Sequence, residues 1–261
     1  MALTPTQIED FAQRLDEAAL ATQTIIKLTD EAADLDMAAA YRIQRALVDR
    51  YLARGDRLIG MKMGLTSRAK MRQMGVHEPI YGHLTEAMIL AHGGSLQRSE
   101  HGHPRAEPEV AFRLCQELSG PTTREQAQSA VGEVCAALEI IDSRYRDFRF
   151  TLADVVADNA SSARFVLGPW QTASASLDLG DLGIVLEVDG EAIHQGSSAA
   201  ILDHPLESLA TLANMLAGRG ESLAKGSVVL AGAATAAVHL EPGQQVSAVV
   251  EGLGSATVHV V

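Results

Sequence analysis

At residue 55 the hydrophobic period of this chain changes, and that change limits the folds open to it. Upstream, apolar residues recur at helical spacing. Thr4 caps, Pro5 takes the first helical position, Gln7 completes a capping box, and Ile8, Phe11, Leu15 and Ala19 share a face. A second helix opens at Asp36, carries Tyr41, Leu47, Val48 and Tyr51, and stops at Gly55. From Arg57 onward the pattern is one of short strands, over 57–63, 106–114, 134–142, 164–167, 182–188, 192–195, 227–230, 245–250 and 256–260. Three helices interrupt them: one over 67–75, one opened by Thr122 with Glu125 three residues on, and one opened by His204-Pro205 that bears Leu206, Leu209, Ala213 and Leu216. Asp189-Gly190 joins two of the strands as a hairpin. Helices first and strands after is an α+β order, without the regular βα alternation of a doubly wound sheet. The spacing divides the chain into a helical segment, residues 1–55, packed on a β-rich domain, residues 56–261.

Charge and composition narrow the function. Acidic side chains number 33 against 21 basic, a formal charge of −12, which argues against a nucleic-acid or anionic-membrane partner. The most apolar late stretch, 228–240, is broken by Thr235 and His239, short of the roughly 20 residues a membrane span needs. Met1 to Pro5 lack the basic and apolar regions of a signal peptide, and Cys115 and Cys135 have no CxxC or disulfide-framework spacing. A cytoplasmic protein in a reducing compartment is expected. No Walker loop, no GxGxxG after a strand and no GxSxG elbow occurs, which disfavours phosphate cradling, dinucleotide binding and serine-hydrolase chemistry. His77 and His103 remain as acid–base candidates.

Three carboxylates carry the strongest chemical signal. Glu107 and Glu109 flank Pro108, which favours extended backbone, and residues two apart on a strand point to one face. Two like charges so close repel unless a cation lies between them; a solvent-facing strand edge is the other reading. Glu139 lies in the apolar run 136–142, where an unpaired carboxylate is costly. Together the three match a hard divalent cation, Mg²⁺ or Mn²⁺, with positions left for water or a chelating substrate. A buried ion pair of Glu139 with Arg105 or Arg144 is the alternative. Lys62 is the one charge inside the apolar strand 58–64, flanked by Gly60 and Gly64, which permit close approach of a ligand. Buried lysines recur as catalytic groups, and a lysine whose head reaches water is the competing reading. The polar segment 156–162 either holds a carboxylate or forms a turn.

These residues fall in a known order. Gly60-Met61-Lys62-Met63-Gly64-Leu65-Thr66-Ser67, Pro79-Ile80-Tyr81-Gly82, the Glu107/Glu109 pair, Glu139 with Ile141-Asp142-Ser143-Arg144, Ala157-Asp158-Asn159-Ala160-Ser161, the His204-Pro205 helix and Gly252-Leu253-Gly254-Ser255 follow one another. Over essentially its whole length the chain resembles the hydratase/decarboxylase family of bacterial aromatic meta-cleavage pathways, related in fold to fumarylacetoacetate hydrolase. The resemblance implies a mixed β-sheet roll or barrel with N-terminal helices. It also implies Mg²⁺ or Mn²⁺ on Glu107, Glu109 and Glu139, a catalytic role for Lys62, and substrate contacts from Asn159, Ser161 and Arg144. At Arg144 a structural pair with Asp142 or Asp158 stays open. The family's hydratases carry an acidic residue where this chain has Ile80, and adding water needs a group to orient or deprotonate it. Ile80 therefore resembles the decarboxylase branch, acting on a small 2-oxo dicarboxylate. A homo-oligomer and an association with the hydratase of the next step are the partners that the resemblance implies. A pentenoate-type hydratase, a C–C hydrolase using His103 with Glu100 or Glu107, and a non-catalytic sheet protein with its carboxylates paired to arginines are the competing readings.

Overall fold

The structure, a computed structural model, describes residues 3–68, 71, 72, 76, 78–174 and 177–261. Helix α1 (Pro5–Leu20) opens with the expected capping box: Gln7 N–H donates to Thr4 Oγ1 at 3.3 Å and Thr4 N–H to Gln7 Oε1 at 2.9 Å. Helix α2 (Met37–Ala53) is capped by Asp36, which accepts from Ala39 N–H at 2.7 Å. Both bury one apolar stripe. Ile8, Phe11 and Leu15 of α1 and Ile43 and Leu47 of α2 belong to the main core, where each buried side chain contributes about 1.5–3 kcal/mol of transfer free energy. The helix expected over 67–75, and His77 after it, lie largely outside the described residues.

Strand β1 (Leu58–Gly64) pairs antiparallel with β2 (Ile80–Thr85). Two short strands follow, β3 (Ile89–Leu90) and β4 (Gly94–Leu96), and then the long pair β5 (Arg105–Leu114) and β6 (Val131–Ile141). Between the long strands stands helix α3 (Arg124–Ala130), capped by Thr123 and Gln126 rather than by Thr122 and Glu125. The two threonines are equivalent on paper, but the Thr122 hydroxyl is taken by Ser119 O at 2.5 Å. Helix α4 (Leu152–Ala157) precedes β7 (Ser162–Leu167) and β8 (Gln171–Thr172). Strands β9 (Gly183–Val188) and β10 (Glu191–Ser197) form the expected hairpin, with φ of 53° at Asp189 and 81° at Gly190, as a primed turn requires. Helix α5 (Pro205–Ala217), β11 (Val228–Leu230), β12 (Val238–His239), β13 (Gln245–Val250) and β14 (Gly254–Val260) complete the chain.

Among the described residues the strands form two sheets. The larger runs β2-β1-β11-β5-β6-β7-β3, with β12 on β5 and β8 on β6, and the smaller runs β10-β9-β13-β14-β4. Both mix parallel and antiparallel pairs, an α+β arrangement. Near the two ends of the larger sheet's order, β2 and β7 touch, so the sheet curls on itself. Its outer face packs Met61, Met63, Val110 and Phe112 into the main core and Ala106, Leu138 and Ile140 against the smaller sheet. The inner face holds a separate small cluster of Leu84, Ala111, Cys135, Ala137, Phe165 and Leu230. Strand alternation puts Lys62, Glu107, Glu109 and Glu139 on that same inner face. No helix among the described residues is long and apolar enough to cross a membrane.

Candidate active site

Register brings the carboxylates together. Glu107 stands directly opposite Glu139 in the β5–β6 ladder, and Glu109 follows two residues on with no bulge between them. Ligand oxygens of all three lie within 4.8 Å of one another. Pro108, an unusual residue for a central strand, fits for a local reason. Its carbonyl accepts from Ala234 N–H at 3.1 Å, on the side away from β6. The N–H that proline lacks is therefore missing from the side that faces the 231–237 segment, and the β5–β6 ladder stays intact.

Lys62 reaches the cluster from β1. Its Nζ is 2.9 Å from Glu139 Oε2 and donates to Ala160 O at 3.1 Å, with the residue 3% exposed. Burial alone pushes its pKa down, but Glu139, Glu107 and Glu109 outweigh that and hold it above the ordinary lysine value, so it is cationic. The Glu109 carboxyl is driven well above the usual range by burial first and by Glu139 second, against the pull of Lys62. Glu109 Oε2 accepts from Gly232 N–H at 2.7 Å. Only glycine suits that donor: its φ is +112°, and a Cβ there would sit 2.2 Å from Thr66 Oγ1.

Glu109 Oε1 and Glu139 Oε1 are buried with no hydrogen-bond partner. An unmet buried acceptor costs about 1–3 kcal/mol, so these two oxygens are where a cation would find ligand atoms. Fully ionised, the three carboxylates would carry −3 against the +1 of Lys62, and a divalent cation would offset the remaining −2 and favour ionisation of Glu109. Hard oxygen donors of this kind suit Mg²⁺, Mn²⁺ or Ca²⁺. The residues fit such an ion.

Residues 159–161 form the rim. Asn159, Ala160 and Ser161 have φ of 50°, 51° and 58°, three successive non-glycine residues in the left-handed region. Each costs roughly 1–2 kcal/mol, so the surroundings must impose the turn. Its Asn159 amide does not face the glutamates: Oδ1 accepts from His83 N–H at 2.7 Å and Nδ2 donates to His83 O at 2.9 Å. Ser161 Oγ is buried and without a hydrogen-bond partner. Arg144 takes the structural alternative. It pairs with Asp158 through Nε, and its other two nitrogens donate to the carbonyls of Asp142, Asp158 and Ser162. Those bonds use four of its five guanidinium N–H donors within the fold, so its fork is not available to grip a substrate carboxylate. Ile80 lies opposite Gly64, its Cγ1 3.1 Å from where a Cβ on that glycine would stand, and that same point is 3.8 Å from Lys62 Nζ. Sequence reasoning missed Gly232 and the Ala160 carbonyl, because a backbone donor and a backbone acceptor leave no side-chain signature. Glu139 has Lys62 as its cation rather than an arginine; Arg105 instead stacks 3.8 Å over the Phe148 ring.

Comparison with known proteins shows the family. The profile of the fumarylacetoacetate hydrolase C-terminal domain matches residues 60–261. A 4-oxalocrotonate decarboxylase from a Pseudomonas species is 48% identical over 249 residues, 95% of this chain and 96% of the relative. A 2-hydroxyhexa-2,4-dienoate hydratase from Comamonas testosteroni is 36% identical over 254 residues, 96% of each. Among solved structures, 4-oxalocrotonate decarboxylase from Pseudomonas putida G7, complexed with magnesium and adipate, superposes with a TM-score of 0.96 at 40% identity, covering 100% of this chain and 99% of that one. Fumarylpyruvate hydrolase from Pseudomonas aeruginosa, with Mn²⁺ and pyruvate, shares the fold at a TM-score of 0.63 and 20% identity, covering 78% of this chain and 89% of that one. The chain belongs to the fumarylacetoacetate hydrolase family, in its hydratase/decarboxylase branch.

Proposed function

We propose that this chain is a divalent-cation-dependent carboxy-lyase that converts 4-oxalocrotonate (2-oxo-3-hexenedioate) to 2-hydroxypenta-2,4-dienoate and CO₂. The observation that carries the reading is the glutamate triad, with Glu109 and Glu139 buried and an unbonded oxygen on each, beside a cationic Lys62. The 48% identity to a decarboxylase, against 36% to a hydratase, supports decarboxylation over hydration. In this reading residues 56–261 carry the chemistry and the helices of residues 1–55 brace it.

Magnesium or manganese, held by Glu107, Glu109 and Glu139, would supply a Lewis acid for a 2-oxo carboxylate. The protein's own residues do the rest. Breaking the bond between C5 and the C6 carboxylate releases CO₂ and sends its electron pair through the conjugated carbons to the 2-oxo oxygen. Lys62 donates a hydrogen bond to that oxygen, so its positive charge acts where negative charge develops. The glutamates keep that ammonium protonated before reaction. Lys62 passes one proton to the 2-oxo oxygen and regains one from water, so dianionic substrate and one solvent proton give the monoanionic dienol and CO₂. The Ser161 hydroxyl, buried and unpaired, donates to a substrate carboxylate oxygen. Ile80 places a hydrocarbon wall near Lys62 where a water-activating carboxylate would favour hydration.

The test is purified protein with 2-oxo-3-hexenedioate, with EDTA and after Mg²⁺ or Mn²⁺ is restored, following CO₂ and, separately, water addition to 2-hydroxypenta-2,4-dienoate. Cation-dependent CO₂ release is expected. Water addition without CO₂ release would instead assign the chain to the hydratases.

A further inference from the structure

Asn159 stands within the rim of the site, yet its amide is spent on the backbone of β2. It is 0% exposed, and its two bonds to His83 make it an extra rung beside the β1–β2 ladder. The same ladder places Gly82 opposite Lys62. Gly82 has no room for a side chain, because a Cβ there would meet Asn159 O at 2.6 Å. Gln44 ties the assembly again from α2, donating to Tyr81 O and to Val156 O, both at 2.9 Å.

The left-handed turn is held on its other side too. Arg144 grips Asp158 just upstream, Ser161 N–H donates to Asp158 O at 2.9 Å, and Asp142 N–H donates to Ser161 O at 2.8 Å. The one carbonyl of the turn directed at a titratable side chain is that of Ala160, which accepts from Lys62 Nζ. Fixed backbone on both sides of a strained turn is how a carbonyl is aimed within a fraction of an ångström.

We infer that Asn159 is a positioning residue for Lys62. By clamping the left-handed turn onto β2 it aims the Ala160 carbonyl, which accepts from Lys62 Nζ and, with the Glu139 ion pair, sets where the ammonium sits relative to substrate. This deepens the decarboxylase reading and rests on the role given there to Lys62. A misplacement of about 1 Å costs up to about 100-fold in rate, so the effect is large enough to measure.

Two variants disturb the contact of the turn with β2, one from each partner. Asn159→Gly accepts the positive φ but removes both bonds to β2, and Gly82→Ala keeps Asn159 but pushes its carbonyl away. Turnover is measured per Mn²⁺-loaded site, with Mn²⁺ affinity read independently by electron paramagnetic resonance. The expected result in either variant is a kcat lower by about 10–100-fold, with substrate KM and Mn²⁺ affinity each within about threefold of the parent. A kcat within twofold of the parent overturns the positioning role, as does a loss of Mn²⁺ affinity that matches the loss of kcat. Should one variant not fold, the other reads the same quantity. A parent protein that releases no CO₂ with Mn²⁺ strikes at the assigned reaction instead, so the two failures are distinguishable.

Discussion

Arg144 with Asp158 and Lys62 with Glu139 are both buried cation–carboxylate pairs, and they stand on either side of the same three-residue turn. They are completed differently. In the first, each of the three guanidinium nitrogens donates, and Asp158 Oδ2 also accepts from Arg144 N–H at 3.0 Å. Burial still pushes the Asp158 carboxyl up to about 6, against the pull of Arg144, so the pair depends on its hydrogen bonds to offset desolvation. In the second, Lys62 faces more negative charge than it can offset, and Glu109 Oε1 and Glu139 Oε1 have no hydrogen-bond partner. Burial is common to both. Satisfaction separates them: the first pair is completed by the fold, and the second keeps acceptor oxygens that the proposed cation would use.

Each side of that contrast can be broken. The largest effect is expected from Lys62→Met, which should lower kcat by about 10²–10⁴-fold while the circular dichroism spectrum stays that of the parent. Near-parent turnover would take Lys62 out of the mechanism. Arg144→Met leaves Asp158 buried without its cation and should cost about 3–5 kcal/mol of stability. A calorimetric Tm lower by on the order of 10 °C is the corresponding shift, and an unchanged Tm would show that the pair holds nothing.

The glutamate cluster should respond in the opposite way. Mg²⁺ at 100 times its Kd is expected to raise unfolding stability by about 2.7 kcal/mol, measured by urea titration with and without EDTA. Glu139→Gln should remove most of that gain. The smallest effect is the sharpest in sign. In EDTA, Glu109→Gln should melt at or above the parent, by up to about 1 kcal/mol, because a neutral amide is cheaper to bury than this carboxylate. A clear fall in Tm would mean that Glu109 is already satisfied without a cation.

What could be read along the chain was local or periodic. The Thr4–Gln7 box, the Asp36 cap and the Asp189-Gly190 turn each depend on residues a few positions apart, and all three form as expected. The glutamates were legible because a carboxylate in an apolar strand is a conflict that needs a cation. Strand β2 was not, since Ile80–Thr85 is buried on both faces and contains a glycine, and so shows neither alternation nor a long apolar run. Asn159 and Arg144 have the right chemistry for substrate contacts, but their hydrogen-bonding capacity goes to His83 and to Asp158.

The sequence by itself determined the order of helices and strands, the pairing of Glu107 with Glu109 on one face, and the need for positive charge near Glu139. Those follow from side-chain period and from the cost of burying charge. Only the tertiary structure decided that Lys62 supplies that charge, through the parallel pairing of β1 with β11, which then lies antiparallel to β5. It also decided that Gly232 and Ala160 offer the backbone groups that Glu109 and Lys62 use. Register between strands distant in the chain, and the direction of a carbonyl in a strained turn, are set by many weak contacts at once, and no short stretch of residues encodes them.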